Sequence, residues 1–186
     1  MPFEIIHFRD SDKIIRRKKL DRDLKITLNY VDDALQGSLY RGELLRQVLD
    51  EMGWREDGLL SILENRRYAY KGVKRGVAIE GSFAAYEFIL EGLFRLQVGF
   101  DKGRIETGIL MLTAARSEKS SLGTSRDLAV AEVEQLYPTI SMPVSIALFD
   151  LGPPIISNGT EEGGDENGLP VQTHEEGEVE KAEQQA

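Results

Sequence analysis

The stretch "GVAIEGSF", residues 76–83, reads as a short strand that carries an acidic residue close to its end. Side chains alternate along a strand, so Val77 and Ile79 should face one side of a sheet while Glu80 and Ser82 face the other. A carboxylate at the end of a buried strand is a candidate for chemistry, but it is also common where a strand simply meets water. The pattern alone leaves both interpretations of Glu80 open.

Strand-like and helix-like segments surround this stretch. Four more segments have the pattern and length of β-strands: 2–8, 24–30, 104–114 and 143–151. The last two are almost continuously apolar, which is typical of central strands buried on both faces. Apolar residues at helical spacing predict helices over 42–54 and 84–100, and a third that ends before Pro138. This order predicts an α/β fold with a mixed β-sheet flanked by helices.

Charge divides the chain into two parts. The formal net charge of the 186 residues is −9. Residues 1–150 hold 22 Lys and Arg against 23 Asp and Glu, whereas residues 151–186 hold 1 against 9. The acidic segment has too little apolar content to offset the entropy of ordering. We therefore expect one folded domain over residues 1–152 and an acidic, disordered tail over residues 153–186.

The composition also limits the class of protein. The chain contains no cysteine, which excludes disulfides, thiolate metal sites and cysteine nucleophiles. The amino terminus lacks the apolar run of a signal peptide, and no stretch approaches the roughly 18 to 20 apolar residues of a membrane span. A soluble, cytoplasmic protein without a membrane partner is the expectation.

Five motifs in series carry a resemblance to a known family. They are "LLRQVLDEMGW", "GVAIEGSF", "KGRIETGILML", "GTSRDLAVAEVEQLYP" and "MPVSIALFDLG". In this order and spacing, the chain from Arg41 to Leu151 resembles the type II restriction endonucleases of the BamHI/BglII/BstYI group, which are built on the PD-(D/E)xK nuclease core. The resemblance implies a restriction-endonuclease-like fold, double-stranded DNA as the partner, and Mg²⁺-dependent hydrolysis of phosphodiester bonds.

The resemblance also implies an active site, from which this sequence departs at two positions. Glu80 falls on the central carboxylate of the family motif and is the expected Mg²⁺ ligand. Lys71 stands where the family has its first acid, nine residues upstream, and Ser82 stands where Lys, Glu or Gln is expected. A metal site would then need an acid from another part of the chain as its second ligand. The candidates are Glu64 and Glu51, and Glu51 belongs to the acidic pair near the end of the first motif.

Basic residues provide candidate DNA contacts. Arg66, Arg67, Lys71, Lys74 and Arg75 lie within ten positions, and residues 13–19 form a second basic cluster, which suits phosphate contacts but also an exposed hairpin rim. The resemblance places Arg126 at an arginine that enters the major groove of DNA. Its neighbour Ser125 replaces an acidic residue and has a simpler role as the cap of the following helix.

The helix over residues 84–98 has a narrow polar stripe of only Glu87, Glu91 and Arg95, which favours a homodimer or a core helix packed on its own sheet.

The candidate residues lead to three functional hypotheses. Convergence of Glu80, Glu64 and Glu51 would indicate a nuclease. A Lys71–Glu80 ion pair would indicate an inactive nuclease-fold module that binds DNA or a protein partner. Scattered basic residues would indicate a structural protein without a nucleic-acid role.

Overall fold

The computed structural model describes residues 3–56, 58–64, 66, 68–81, 83, 89–115 and 123–153. Within this part of the chain, five strands form one sheet in the order β1-β5-β4-β3-β2. The strands are β1 (Phe3–Phe8), β2 (Gly72–Lys74), β3 (Val77–Gly81), β4 (Thr107–Thr113) and β5 (Val144–Phe149). β3, β4 and β5 run parallel, and β1 and β2 pair antiparallel to them at the two sides. The predicted mixed sheet is therefore confirmed.

Helices cover both faces of the sheet. They are α1 (Ser11–Arg17), α2 (Asp21–Leu35), α3 (Arg41–Glu51), α4 (Ile89–Asp101) and α5 (Arg126–Gln135). The apolar residues of α1, α2 and α3 form one core with Val77, Ile79 and Ile109 of the sheet. Those of α4 and α5 form a second core with Ala78 and Leu110. Neighbouring residues of β3 and β4 thus belong to opposite cores, as strand alternation requires.

The prediction of a strand over residues 24–30 is wrong, because this segment lies inside α2. Its apolar residues Leu24, Ile26, Leu28 and Tyr30 alternate, which is the strand period. The residues that α2 buries, however, recur every three or four positions, and Ile26 and Tyr30 remain exposed. Over seven residues the apolar pattern fits both the strand period and the helix period. Over the full length of α2 the buried residues follow the helix period.

The two ends of the parallel strands define the positions used below. We call the edge of the sheet where β3, β4 and β5 end the carboxyl edge, and the edge where they begin the amino edge. Since β1 and β2 are antiparallel to their neighbours, both begin at the carboxyl edge. The helices that follow β3 and β4 also begin there. Residues from every layer of the molecule can therefore meet at the carboxyl edge.

Some predictions concern residues outside the described part of the chain. The helix predicted over residues 84–100 is observed as α4 from Ile89 onward, and residues 84–88 are not described. Residues 154–186 are also not described, so the predicted boundary at residue 152 and the disordered tail stay predictions. None of the described helices is long and apolar enough to cross a membrane.

Candidate functional site

The β2–β3 hairpin brings Lys71 to the carboxyl edge, close to Glu80. Gly72 pairs with Ile79 in the antiparallel register, and the backbone N–H of Lys71 donates to the carbonyl oxygen of Ile79 at 3.0 Å. Arg75 and Gly76 form the turn with positive φ angles of 50° and 78°, as a tight hairpin turn requires. Lys71 therefore lies opposite Ile79 at the carboxyl edge, where its charge acts on the neighbouring carboxylate of Glu80.

A glycine fixes the backbone immediately after Glu80. Gly81 has a φ of 139°, a conformation that favours glycine, and a Cβ at this position would collide with the carbonyl oxygen of Met111. The end of β3 therefore lies tightly against β4. Glu80, the residue before this contact, points to the face of the sheet that α4 covers, where it meets Arg95.

Glu80 is a buried carboxylate with a resident counter-ion. Its relative exposure is only 3%. Arg95 of α4 lies with Nη1 3.7 Å from Oε2 of Glu80, and its Nε lies 3.4 Å from the carboxylate of Glu91. Oε1 of Glu80 has no hydrogen-bond partner among the described residues. Burial raises the pKa of Glu80 to about 7, although Arg95 and then Lys71 act in the opposite direction.

Tyr70 closes the inner side of this site. Its side chain is buried, and its hydroxyl group packs against Gly99 of α4, where a Cβ would overlap with it. Burial, together with the nearby charge of Glu80, raises the pKa of Tyr70 to about 12. The hydroxyl has no hydrogen-bond partner within the described part of the chain. The Glu80 site, which we define as Glu80, Lys71, Arg95 and Tyr70, thus contains one carboxylate and two cations.

The other predicted acids lie elsewhere. Glu51 ends α3 on the opposite face of the sheet, where its carboxylate accepts hydrogen bonds from Tyr30 and from Gln47. Glu64 is exposed and pairs with Arg104 at 3.0 Å, shortly before β4 begins at the amino edge. The structure therefore does not bring either residue to Glu80. Ser82, two positions after Glu80, lies outside the described residues.

These positions decide how well Mg²⁺ fits the site. Magnesium prefers octahedral oxygen coordination, and its protein sites use carboxylates that converge on the ion. No group of three or more His, Cys, Asp or Glu side chains that could hold a metal ion occurs in the described ranges. At the Glu80 site, moreover, the carboxylate pairs with the guanidinium group of Arg95, and the ammonium group of Lys71 adds positive charge nearby. The described residues do not fit a magnesium ion.

The predicted basic cluster divides between two places. Lys74 pairs with Asp23 at 2.6 Å and donates to the carbonyl oxygen of Met52, so it joins the hairpin to α2 and α3. Arg75 is exposed and donates to the carbonyl oxygen of Lys18, which brings the two basic segments together at the amino edge. Arg66 is exposed, and Arg67 lies outside the described residues.

Arg126 and Ser125 lie at the start of α5, at the same edge as Glu80. The Ser125 hydroxyl accepts a hydrogen bond from the backbone N–H of Leu128 at 3.2 Å, so the predicted helix cap is confirmed. The exposed Arg126 forms an ion pair with Glu4 of β1. Exposed pairs of this kind contribute little free energy, so the guanidinium group is available to a ligand.

Sequence reasoning did not identify Arg95 as part of the site. It assigned Arg95 to the polar stripe of a helix, together with Glu91 four residues earlier. That spacing predicts the observed Arg95–Glu91 pair, because residues four apart are neighbours on a helix. Contact with Glu80 depends on how α4 packs on β3, for which the sequence holds no local signal.

The architecture defines the class of fold, a mixed sheet with flanking helices as in restriction endonucleases. The crystal structure of restriction endonuclease BglII in complex with a DNA 16-mer is similar to this chain, with a TM-score of 0.56 and 14% sequence identity over 80% of this chain and 76% of BglII. Free BglII gives a TM-score of 0.53 at 14% identity, over 80% and 79% of the two chains. No protein-family model matches the sequence. No curated protein matches it either.

Proposed function

We propose that this protein binds double-stranded DNA through the carboxyl edge of its sheet without cutting it. The observation that carries the proposal is that the buried Glu80 pairs with a cation, Arg95, and not with a second acid. Among the described residues, Arg95 takes the place of the Lys71 that the sequence suggested as the ion-pair partner of Glu80. A metal-assisted nuclease needs converging carboxylates at this place. The inactive nuclease-fold module is therefore the hypothesis that the described residues support best.

Binding of DNA at the carboxyl edge has two lines of support. In open α/β sheets, ligands commonly bind outside the carboxyl ends of the strands. Here that edge presents Arg126 at the start of a helix and the two cations of the Glu80 site. The similar BglII structure is a complex with DNA, which supports the same class of partner for this chain.

A second copy of this chain is the protein partner that we propose. On α4, Leu90 and Phe94 are 56% and 58% exposed, although both are large apolar side chains one helical turn apart. Adjacent exposed apolar side chains on one helix face mark a contact surface. A symmetric dimer that buries this face would present two DNA-binding edges, in keeping with the two-fold symmetry of duplex sites.

The test measures cleavage and binding separately with the full chain. Mixed-sequence duplex DNA is incubated with Mg²⁺ or Mn²⁺ and with wild-type protein or the Glu80→Gln variant, and binding is followed by fluorescence anisotropy at several salt concentrations. We expect no cleavage beyond that of the variant, together with binding that weakens as salt rises. Metal-dependent cleavage that Glu80→Gln abolishes would establish a nuclease instead. Absence of salt-sensitive binding would refute a role with DNA.

A further inference from the structure

A small cavity beside Lys71, at the carboxyl edge, is lined by positively charged side chains. Its volume is about 250 Å³, and its lining includes Gly42, Leu45 and Arg46 of α3 on one side and Arg55, Tyr70 and Lys71 on the other. Cavities for drug-sized ligands have roughly 300 to 1,000 Å³, so this one suits a smaller group. We call it the Lys71 cavity.

The three cations of the Lys71 cavity, Arg46, Arg55 and Lys71, differ in whether other groups hold their side chains. Arg55 is fixed, because its Nη1 donates to the carbonyl oxygen of Lys71 at 2.6 Å and its Nε lies 3.0 Å from Asp50. Neither Arg46 nor Lys71 forms an ion pair with a carboxylate of the described ranges. Asp50 balances Arg55, so Arg46 and Lys71 leave the cavity with an excess of positive charge that an anion would neutralise.

The start of α3 adds a second attraction for an anion. α3 has 11 residues, and its N-cap residue Tyr40 makes no side-chain cap hydrogen bond. Gly42 lies in the first turn and lines the cavity, and a Cβ at this position would meet no atom within 4 Å. Free backbone N–H groups and the helix dipole favour negative charge at such a terminus. An approaching anion is therefore not blocked on this side.

We propose that the Lys71 cavity binds a phosphate group of a nucleic acid, through the side chains of Arg46, Arg55 and Lys71 and without a divalent cation. The nucleic acid in this statement rests on the proposed function, whereas the anion site itself rests on the cavity. Glu80 is not part of this site, because its carboxylate pairs with Arg95 of α4, whereas the cavity is lined by α3.

The experiment compares variants of the full chain for binding to a fluorescein-labelled duplex DNA. Arg46→Gln and Lys71→Gln are matched with Arg22→Gln and Lys25→Gln, which remove exposed charges from the first turns of α2, close to Lys74 at the amino edge. We expect each cavity variant to bind roughly tenfold more weakly, with a salt slope lower by about 1, while the α2 variants bind like wild type. Replacing Mg²⁺ by EDTA at equal ionic strength should leave wild-type binding unchanged.

A second measurement separates the cavity from the proposed function. Inorganic phosphate is titrated into ¹⁵N-labelled protein while the amide signal of Gly42 is followed by NMR. If phosphate causes saturable shifts in wild type and Arg46→Gln weakens them, the anion site is supported even when DNA does not bind. Phosphate binding without DNA binding would refute only the role with DNA. DNA binding that is unaffected by both cavity variants, or a Gly42 signal that phosphate does not move, overturns the phosphate site. Thermal unfolding of each variant verifies that it is folded.

Discussion

Arg95 of α4 lies with Nη1 3.7 Å from Oε2 of the buried Glu80. The charge of Lys71 acts on the same carboxylate in the same direction as that of Arg95. Positive charge is therefore present where a metal ion would need further carboxylates. One carboxylate beside two cations favours the binding of an anion over that of a metal ion.

Replacement of Lys71 by an acid should create an affinity for divalent cations. In Lys71→Asp, a second carboxylate takes the place of a cation near Glu80, and Mn²⁺ binding to the folded state should raise the free energy of unfolding by about 3 kcal/mol at a hundredfold excess over the dissociation constant. Thermal unfolding with and without Mn²⁺ measures this gain, and the additional change Glu80→Gln should remove it. Stabilisation of wild type by Mn²⁺ that Glu80→Gln removes would show that the unchanged site binds metal.

Burial of Glu80 should make stability depend on pH. The pKa of Glu80 is about 7 in the folded protein, against an ordinary value of 4.5 for a glutamate in the unfolded chain. Between these two pH values the folded state therefore retains a proton that the unfolded state has lost. The contribution of Glu80 to the free energy of unfolding therefore falls as pH rises from about 4.5 to about 7, by about 3 kcal/mol in total. Below this window the contribution is fully present.

Urea unfolding of wild type and Glu80→Gln across this pH range isolates the effect, since other titrating groups are common to both proteins. We expect the stability of wild type relative to the variant to decline with pH and to level off above about pH 7. A difference that is independent of pH would mean that Glu80 titrates normally. A difference that grows with pH would mean that Arg95 and Lys71 outweigh burial.

The sequence predicted the parts of the fold that depend on local pattern. β4 and β5 are buried on both faces, and their continuous apolar runs identified them. The Ser125 cap was predictable because a single hydroxyl at a helix start satisfies a nearby N–H. The strand predicted over residues 24–30 failed because its short window fits two periods, and only the full length of α2 separates them.

The candidate site was less predictable, because it depends on which face of the sheet each helix covers. Glu64 was a candidate because it precedes the hairpin, and Glu51 because the resemblance places a further acidic residue near the end of the first helix. The structure puts Glu51 on the opposite face and Glu64 beside Arg104 at the other edge. Arg95 reaches Glu80 only through the packing of α4. Contacts between elements that are far apart in the sequence cannot be predicted from the spacing of neighbouring residues.

The exposed face of α4 gives a prediction about assembly. Phe94→Glu places a charge in the proposed contact between two copies, so the variant should be monomeric at concentrations where wild type is dimeric. Light scattering coupled to size-exclusion chromatography gives the mass of each. Ile26→Glu, which changes a similarly exposed apolar residue on α2, is the matched control and should leave the mass unchanged. A monomeric wild type, or dimers in both variants, would contradict an interface at Phe94.

The cap of α5 gives a prediction that separates stability from DNA binding. Ser125→Ala removes the acceptor for the N–H of Leu128 and should lower the free energy of unfolding by about 1 kcal/mol, whereas Ser125→Asn retains a capping oxygen and should cost less. Chemical denaturation measures both changes. Under conditions where all the proteins are folded, Ser125→Ala should bind DNA like wild type, while Arg126→Gln should bind more weakly with the same stability. Weaker DNA binding by Ser125→Asn at unchanged stability would instead show that the Ser125 hydroxyl contacts the DNA itself.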